Sequence, residues 1–186
     1  MSSEESTLEE GGNPFWAFSL ELYADGEVET ACLALQDEFG LDVNLLLLCC
    51  WLGRHGVLLD PKGLQTLRDQ SKAWRSEVVS PLRELRQRLK LAVGAVLPDR
   101  SAALREAIKA CELSSERILQ DLLYDILVNL PGRDGRDADR AGLMRANLVN
   151  YARQAGVTDR SGMVPLLETL VHAADWPPDP SETGDA

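Results

Sequence analysis

Apolar residues recur at helical spacing along most of the chain. In residues 27–39 they fall three or four positions apart, on one face of a helix, at Val28, Ala31, Cys32, Leu35 and Phe39. Comparable patterns cover residues 15–24, 61–79, 82–90, 138–155 and 161–173. No segment of strand length alternates apolar and polar residues. The pattern therefore predicts an all-α fold, a single-domain helical bundle of roughly six to eight helices.

Two of the predicted helices differ from the others in their hydrophobic pattern. Residues 43–52 are apolar on nearly every face, which is typical of a helix buried at the centre of a bundle. Residues 100–130 form the longest periodic segment, and a helix of this length would extend about 45 Å. Its apolar positions, interrupted at Ser115, are Leu104, Ile108, Cys111, Ile118, Leu122, Ile126 and Leu130. A helix this long either bends or lies partly against a partner.

Breaks in the pattern divide the chain into segments. Residues 1–12 are polar and acidic and are predicted to be disordered. We expect a helical domain over residues 13–173, with the main bundle at 13–130 and a C-terminal helical pair at 138–173. The proline-rich remainder, 174–186, is predicted to be a flexible acidic tail.

Pro81 falls inside the predicted helical region. Proline removes one intrahelical hydrogen bond and clashes with the carbonyl group one turn earlier. Residues 61–90 therefore contain either one kinked helix or two separate helices, and the pattern leaves both open.

The composition argues against membrane and nucleic-acid partners. The formal net charge is −11, whereas phosphate contacts need a positive surface. The longest apolar run, residues 45–52, is far shorter than the roughly 20 residues that span a bilayer. The first residues lack the basic and apolar regions of a secretory signal, and the cysteines show no C-x-x-C spacing. We therefore expect a cytoplasmic protein with reduced, buried thiols and no cofactor.

Charge is unevenly distributed along the chain. Residues 1–60 contain twelve acidic side chains and one basic side chain, whereas residues 61–100 contain nine basic and four acidic side chains. The candidate partner-binding residues of this basic band are Arg75, Arg83, Arg86 and Lys90. They would suit an acidic segment of another protein. The alternative, which the charge pattern favours, is that the basic band pairs within the protein with the acidic residues 1–60.

Polar residues beside the buried central helix form a second candidate site. Gln36, Asp42 and Asn44 lie next to or just inside residues 43–52, and a buried amide such as that of Asn44 needs hydrogen-bond partners. One explanation is that these residues brace the corner between two helices, with Asp42 as a helix cap. The other is that they line a small polar pocket, to which Trp74 is also assigned.

Carboxylates suggest two metal sites, and both are incomplete. Asp121 and Asp125 share one helix face and could hold Mg²⁺ for a diphosphate substrate, as in all-helical prenyl-chain synthases. Those enzymes need a second carboxylate pair facing the first, and no other predicted helix supplies one, which favours a solvated acidic face. The segment that starts at Asp134 lacks the glycine and the final glutamate of a calcium loop.

The histidines and cysteines do not form a complete metal-binding or catalytic motif either. Glu168 and His172 share a helix face, but their spacing differs from the Glu-x-x-His motif of di-iron bundles, which favours a surface pair. Cys49 or Cys50 beside His55 would act as a nucleophile only with a lowered thiol pKa, and apolar burial raises that pKa. We therefore expect no catalytic residue and no metal site.

Several segments together resemble one protein family. They are NPFWAF at 13–18, ACLALQ at 31–36, GLDVNLLL at 40–47 and PLRELRQRLK at 81–90, with Trp74 before the last of them. The chain resembles an uncharacterised proteobacterial family, a domain of unknown function found in pseudomonads, vibrios and their relatives. The resemblance implies an intracellular helical protein, and it implies no activity, substrate or catalytic residue.

Two functions remain in view. The first is a non-enzymatic helical module, an adaptor or regulator, that contacts another protein through residues 72–90 or through the 100–130 helix. The same long helix could also join two copies of the chain. The second is an enzyme or small-ligand-binding protein with a polar pocket near Gln36, Asp42 and Asn44, or a divalent-metal or diphosphate site near Asp121 and Asp125.

Overall fold

The chain is all-α, as predicted, in the computed structural model, which describes residues 13–94, 96–130, 139–158 and 161–175. The α-helices are α1 (Pro14–Tyr23), α2 (Gly26–Phe39), α3 (Val43–Arg54), α4 (Pro61–Trp74), α5 (Ser80–Arg88), α6 (Ala102–Val128), α7 (Arg140–Gln154) and α8 (Met163–Asp175). A π-helical turn, Arg75–Val79, joins α4 to α5 without a break, and a 3-10 turn, Pro98–Ser101, precedes α6. The predicted disorder of residues 1–12, the segment that starts at Asp134 and most of the predicted tail lie outside the described residues.

Capping side chains set where several helices begin. Asn13 accepts a hydrogen bond from the Phe15 amide at 3.0 Å, directly before a proline at the first helical position. Asp25 accepts from the Glu27 amide at 2.8 Å, and Asp42 accepts from the Leu45 amide at 3.2 Å. Each cap satisfies an amide that has no partner inside its own helix. At the other end of α2, Gly40 adopts a left-handed conformation with φ of 66°.

The described residues pack as two compact units. The first comprises residues 13–64 together with those from 130 onward, and the second comprises residues 65–129. The boundary falls inside α4. No helix of the described residues is both long enough and apolar enough to cross a membrane.

The first unit is built around α3. Every residue from Val43 to Gly53 is buried, which confirms the predicted buried central helix. Helices α1, α2, α7 and α8 all contact it. Helix α7 approaches closely at Gly53, where an added Cβ atom would lie 2.4 Å from the amide nitrogen of Met144. Only glycine allows the two backbones this separation.

The side chain of Asn147, on α7, forms hydrogen bonds with α3 and with the segment that follows it. Its side chain is fully buried, and its Oδ1 accepts from the Leu59 amide at 2.9 Å. Its Nδ2 donates to the carbonyl oxygens of Val57 at 2.9 Å and Cys49 at 3.3 Å. One amide therefore satisfies backbone groups that water does not reach.

The second unit contains a helix that continues through Pro81. The amide of Ser80 donates to the carbonyl of Arg75, five residues earlier, as in a π-helix. The wider turn accommodates the proline ring, which in a regular α-helix would press on the carbonyl four residues before it. Residues 61–88 therefore do not separate into two helices at Pro81.

The predicted long helix is present as α6, with 27 residues. Its buried face differs from the predicted apolar stripe and consists of Ile108, Glu112, Ser115, Leu119, Gln120, Leu123, Ile126 and Leu127. Leu104, Cys111 and Ile118, which the stripe included, are exposed. The helix is rotated relative to the prediction because Glu112 and Ser115 make specific polar contacts on the inner side.

Candidate functional site

An ion cluster joins α5 to α6 in the second unit. Arg83 Nε lies 3.1 Å from Glu112 Oε1, and Arg83 Nη2 lies 2.6 Å from Glu116 Oε1. Arg86 donates through Nη2 to Glu112 Oε1 at 3.1 Å and through Nε to the other carboxylate oxygen. The side chain of Glu112 is only 7% exposed. Two guanidinium groups thus converge on one nearly buried carboxylate.

This cluster keeps Glu112 ionised. Burial alone raises the pKa of the Glu112 carboxyl, but the hydrogen bonds from Arg86 and Arg83 and their charges outweigh it. The net pKa therefore lies below its usual value. A buried carboxylate held by two arginines is a structural anchor between helices, since each partner satisfies the others.

Three of the four predicted partner-binding residues have partners within the second unit. Arg83 and Arg86 belong to the ion cluster, and Arg75 donates to the carbonyl of Arg68 at 2.9 Å and to Ser71 Oγ at 3.2 Å. Lys90 is exposed. The pairing inside the protein that the charge pattern favoured exists for Arg83 and Arg86. The carboxylates in these ion pairs belong to α6. The charge pattern instead predicts that the acidic residues 1–60 supply them.

Trp74 and Ser115 explain the gap in the apolar pattern of α6. The indole Nε1 of Trp74 donates to the carbonyl oxygen of Ser115 at 3.0 Å. The Ser115 hydroxyl is buried and donates to the carbonyl of Glu112 at 2.7 Å. A small residue at this position leaves room for the indole ring. Trp74 therefore has a packing role in the second unit, whereas Gln36, Asp42 and Asn44 belong to the first.

The outward face of α5 is an exposed apolar surface of the second unit. No residue of α5 is buried, and Leu85 is 46% exposed. After α5 the chain folds back through paired backbone hydrogen bonds between Val93 and Val96, and Leu91 and Leu97 on either side are 70% and 60% exposed. An open groove of about 570 Å³ is lined by Pro81, Glu84, Leu85, Gln87, Arg88 and Leu91. We call the groove together with Leu97 the α5 surface.

The α5 surface carries positive charge beside its leucines. Arg88 and Lys90 are exposed, and neither makes an ion pair within the part of the chain that the structure describes. Glu84 adds one negative charge at the edge of the groove. Sequence reasoning missed Leu85 and Leu91 as surface residues, because a leucine stripe beside arginines is normally the buried face of an amphipathic helix.

Of the residues assigned to the polar pocket of the first unit, Asp42 makes structural contacts. Asp42 caps α3, and its own amide donates to the Tyr151 hydroxyl at 2.8 Å. Asn44 is buried at 3% exposure. Neither Gln36 nor these two residues line the grooves described for either unit.

A larger cleft of about 720 Å³ lies elsewhere in the first unit, with walls from α1 and α8. Arg54 reaches it, where its guanidinium carbon lies 5.9 Å from the centre of the Phe18 ring and its Nη1 donates to the Ala174 carbonyl at 3.0 Å. Glu168 also borders the cleft, but Arg145 of α7 binds its carboxylate at 2.8 Å and lowers its pKa. In place of the predicted pairing with His172, the carboxylate of Glu168 binds Arg145 through both of its oxygens.

The remaining candidates for catalysis or metal binding are cysteines, a histidine and carboxylates, and their surroundings do not activate them. Cys49 and Cys50 are buried, and burial raises both thiol pKa values well above normal. His55 Nδ1 lies 2.7 Å from the Trp51 carbonyl, to which it donates, so this nitrogen is not available as a base. Within the described residues, no group of three or more His, Cys, Asp or Glu side chains, including those near Asp121, could hold a metal ion.

Comparison with known proteins gives one match. A family model described as a protein of unknown function (DUF2390) matches residues 14–123. No curated protein and no solved structure matches the chain. The matched range includes α1 to α5 and most of α6, and therefore the ion cluster and the whole α5 surface.

Proposed function

The chain belongs to the DUF2390 family of proteins of unknown function, and we propose that it is a non-enzymatic adaptor that binds an acidic, amphipathic helix of another protein. The binding site in this proposal is the α5 surface. The observation that carries it is the exposure of Leu85, Leu91 and Leu97 beside Arg88 and Lys90, which make no ion pair with another described residue. The proposal also places the protein in the cytoplasm, which the reduced and buried Cys32, Cys49 and Cys50 support.

The ion cluster supplies the rigidity that such a site needs. Arg83 and Arg86 fix one side of α5 to Glu112, and Leu89 is buried beside them. Leu85 and Arg88, three positions apart, are neighbours on the helix surface, and both are exposed. A preorganised helix face loses little entropy when a partner binds.

The exposed leucines and the positive charge of the α5 surface indicate which kind of partner would bind there. Leucines that stay exposed in the free protein gain about 25 cal/mol for each Å² that a partner covers. Two cations against the single carboxylate of Glu84 favour a partner with acidic residues beside its apolar positions. An amphipathic helix laid in a groove, with anchors three and four residues apart, meets both requirements.

Site-specific photo-cross-linking tests this proposal. A benzophenone amino acid replaces Leu91 in the full chain, and a second variant carries it at Val164, which is similarly exposed on α8. We expect cross-links from position 91 to a defined acidic, amphipathic segment, mapped by mass spectrometry, and no such product from position 164. The cross-link should disappear when Leu85→Asp is added. A product at 91 that survives Leu85→Asp, or that maps to a basic segment, would refute the proposal.

A further inference from the structure

We infer that an exposed face of α6 is a self-association surface that joins two copies of this chain in antiparallel orientation. Five residues on this face, all exposed, step along the helix by three, four, three and four positions: Leu104, Ala107, Cys111, Ser114 and Ile118. Leu104 is 56% exposed and Ile118 is 50% exposed. This spacing is the seam of a two-helix coiled coil. The seam lies apart from the α5 surface, and the inference is independent of the proposed function.

The seam borders the internal face of α6. Ile108, four positions from Leu104 and three from Cys111, begins that internal face, and it is buried together with Leu119 and Leu123. Isolated exposed leucines need no explanation in a folded protein. A regular row of exposed residues over four helical turns does need an explanation, because a second helix packs against residues with this spacing.

Charge along the seam points to a second copy in antiparallel orientation. Arg100 is exposed just before α6, and Asp125 is exposed near its end. If Leu104 of one copy lies opposite Ile118 of the other, Arg100 falls opposite position 122, about one helical turn from Asp125. Two-fold symmetry repeats this ion pair at both ends. A parallel pair would place arginine against arginine and aspartate against aspartate, which is unfavourable.

The same register brings Cys111 against Cys111 of the second copy, at the two-fold axis. Its neighbours on the seam, Ala107 and Ser114, are small and permit close approach of the helices. Cys32, Cys49 and Cys50 are buried, so Cys111 is the thiol that reagents reach. The arrangement therefore predicts a specific cross-linked product.

The first test measures mass and cross-linking on the full chain. Sedimentation equilibrium should show a reversible dimer. A short bis-maleimide, which links two thiols by addition without any oxidant, should give a covalent dimer that Cys111→Ser abolishes. A protein that is monomeric at every concentration would overturn the inference. So would a covalent dimer that forms equally well in Cys111→Ser.

Substitutions on the seam locate the interface. Ile118→Asp should weaken dimerisation at least about tenfold, because it buries an unpaired charge. The matched control is Val164→Asp, at an equally exposed site on α8 in the first unit, which should leave the dimer unchanged. Circular dichroism checks that both variants fold. Equal weakening in the two variants, or none in Ile118→Asp, would place the interface elsewhere and overturn the inference.

A charge exchange decides the orientation. Asp125→Arg alone should weaken the dimer, and adding Arg100→Asp should restore it. In a Cys111→Ser background, chains carrying Leu104→Cys should cross-link to chains carrying Ile118→Cys and not to themselves. Self-linking through position 104, or a failure of the double exchange to restore the dimer, would rule out the antiparallel pair.

Discussion

The side chain of Asn147 should contribute more to stability than any other polar side chain of α7. The substitution Asn147→Ala removes its hydrogen bonds to the Leu59 amide and to the carbonyl oxygens of Val57 and Cys49. It leaves the Leu59 amide as a buried donor with no acceptor. It also leaves a small cavity between α7 and the end of α3.

The magnitude follows from these contacts. A buried polar group left without a partner costs about 1–3 kcal/mol. The Leu59 amide should cost most, because Leu59 is buried, and the carbonyl of the half-buried Val57 somewhat less. The Cys49 carbonyl, at 3.3 Å, should add little, since it lies within α3. We expect a total loss of about 3 kcal/mol in the free energy of unfolding, a large part of the usual 5–15 kcal/mol.

Urea unfolding measures this loss, with tryptophan fluorescence and circular dichroism as separate probes. The matched control is Asn150→Ala, the same chemical change one turn later on α7, where the side chain only accepts from Arg153 at 3.4 Å on the surface. The control should cost less than about 0.5 kcal/mol. A difference between the two variants below about 1 kcal/mol would refute the reasoning from buried hydrogen bonds.

A second substitution at the same position adds a pH signature. Asn147→Asp keeps an oxygen for the Leu59 amide but turns its other oxygen toward the Val57 carbonyl. Burial raises the pKa of such a carboxyl above its unfolded value of about 3.9. The variant is therefore least stable at neutral pH and recovers as the pH falls through the raised pKa, when the acid becomes a donor. A deficit that does not shrink on acidification would contradict this account.

Three further predictions concern other parts of the structure. Gly53→Ala should cost about 3 kcal/mol in urea unfolding, because its Cβ meets the backbone of α7, whereas Gly26→Ala, with nothing within 4 Å, should cost almost nothing. Glu112→Gln should cost about 2 kcal/mol at neutral pH. Because the folded pKa of Glu112 is lowered, its stabilisation is present above the unfolded value of about 4.3 and disappears as the pH falls through the folded pKa, so the two proteins should converge in acid. In the native protein Cys111 should react quickly with Ellman's reagent, and buried thiols such as Cys49 should react only on unfolding.

Local signals in the sequence were sufficient for the helices and their starts. Asp42 precedes α3 and caps it as predicted, and Asn13 and Asp25 cap α1 and α2 in the same way, since the capping interaction involves only residues two or three positions apart. The uniform hydrophobicity of residues 43–52 also identified the central helix, because no other environment suits a helix without a polar face.

The faces of α5 and α6 could not be predicted in the same way. Glu112 lies on the buried side of α6 because Arg83 and Arg86 neutralise it there, and those partners are 26 and 29 residues distant in sequence. Hydrophobic periodicity treats a carboxylate as a surface residue, so the predicted stripe was displaced toward Leu104 and Ile118. The gap at Ser115 was the one visible sign that a specific contact interrupts the stripe.

The close approach of α3 and α7 and the burial of the Asn147 amide could not be predicted from the sequence either. Nothing local distinguishes Gly53 from a flexible glycine, and its role depends on Met144, which follows 91 positions later. Asn147 likewise reads as one polar residue among several on an amphipathic helix. Its burial follows from the backbone groups of Val57 and Leu59 that happen to face it.

The first unit is discontinuous in sequence, and this determines the order in which the protein can fold. The asparagine contact to Leu59 spans 88 residues, whereas the second unit is one continuous stretch. During synthesis α3 emerges roughly 5–20 s before α7, at 5–20 residues per second, with its apolar sides incompletely covered. The second unit can form in that interval, but the first must wait for α7 and α8. A nascent or truncated chain that ends before residue 140 therefore presents α3 as an aggregation-prone segment and a natural target for chaperones.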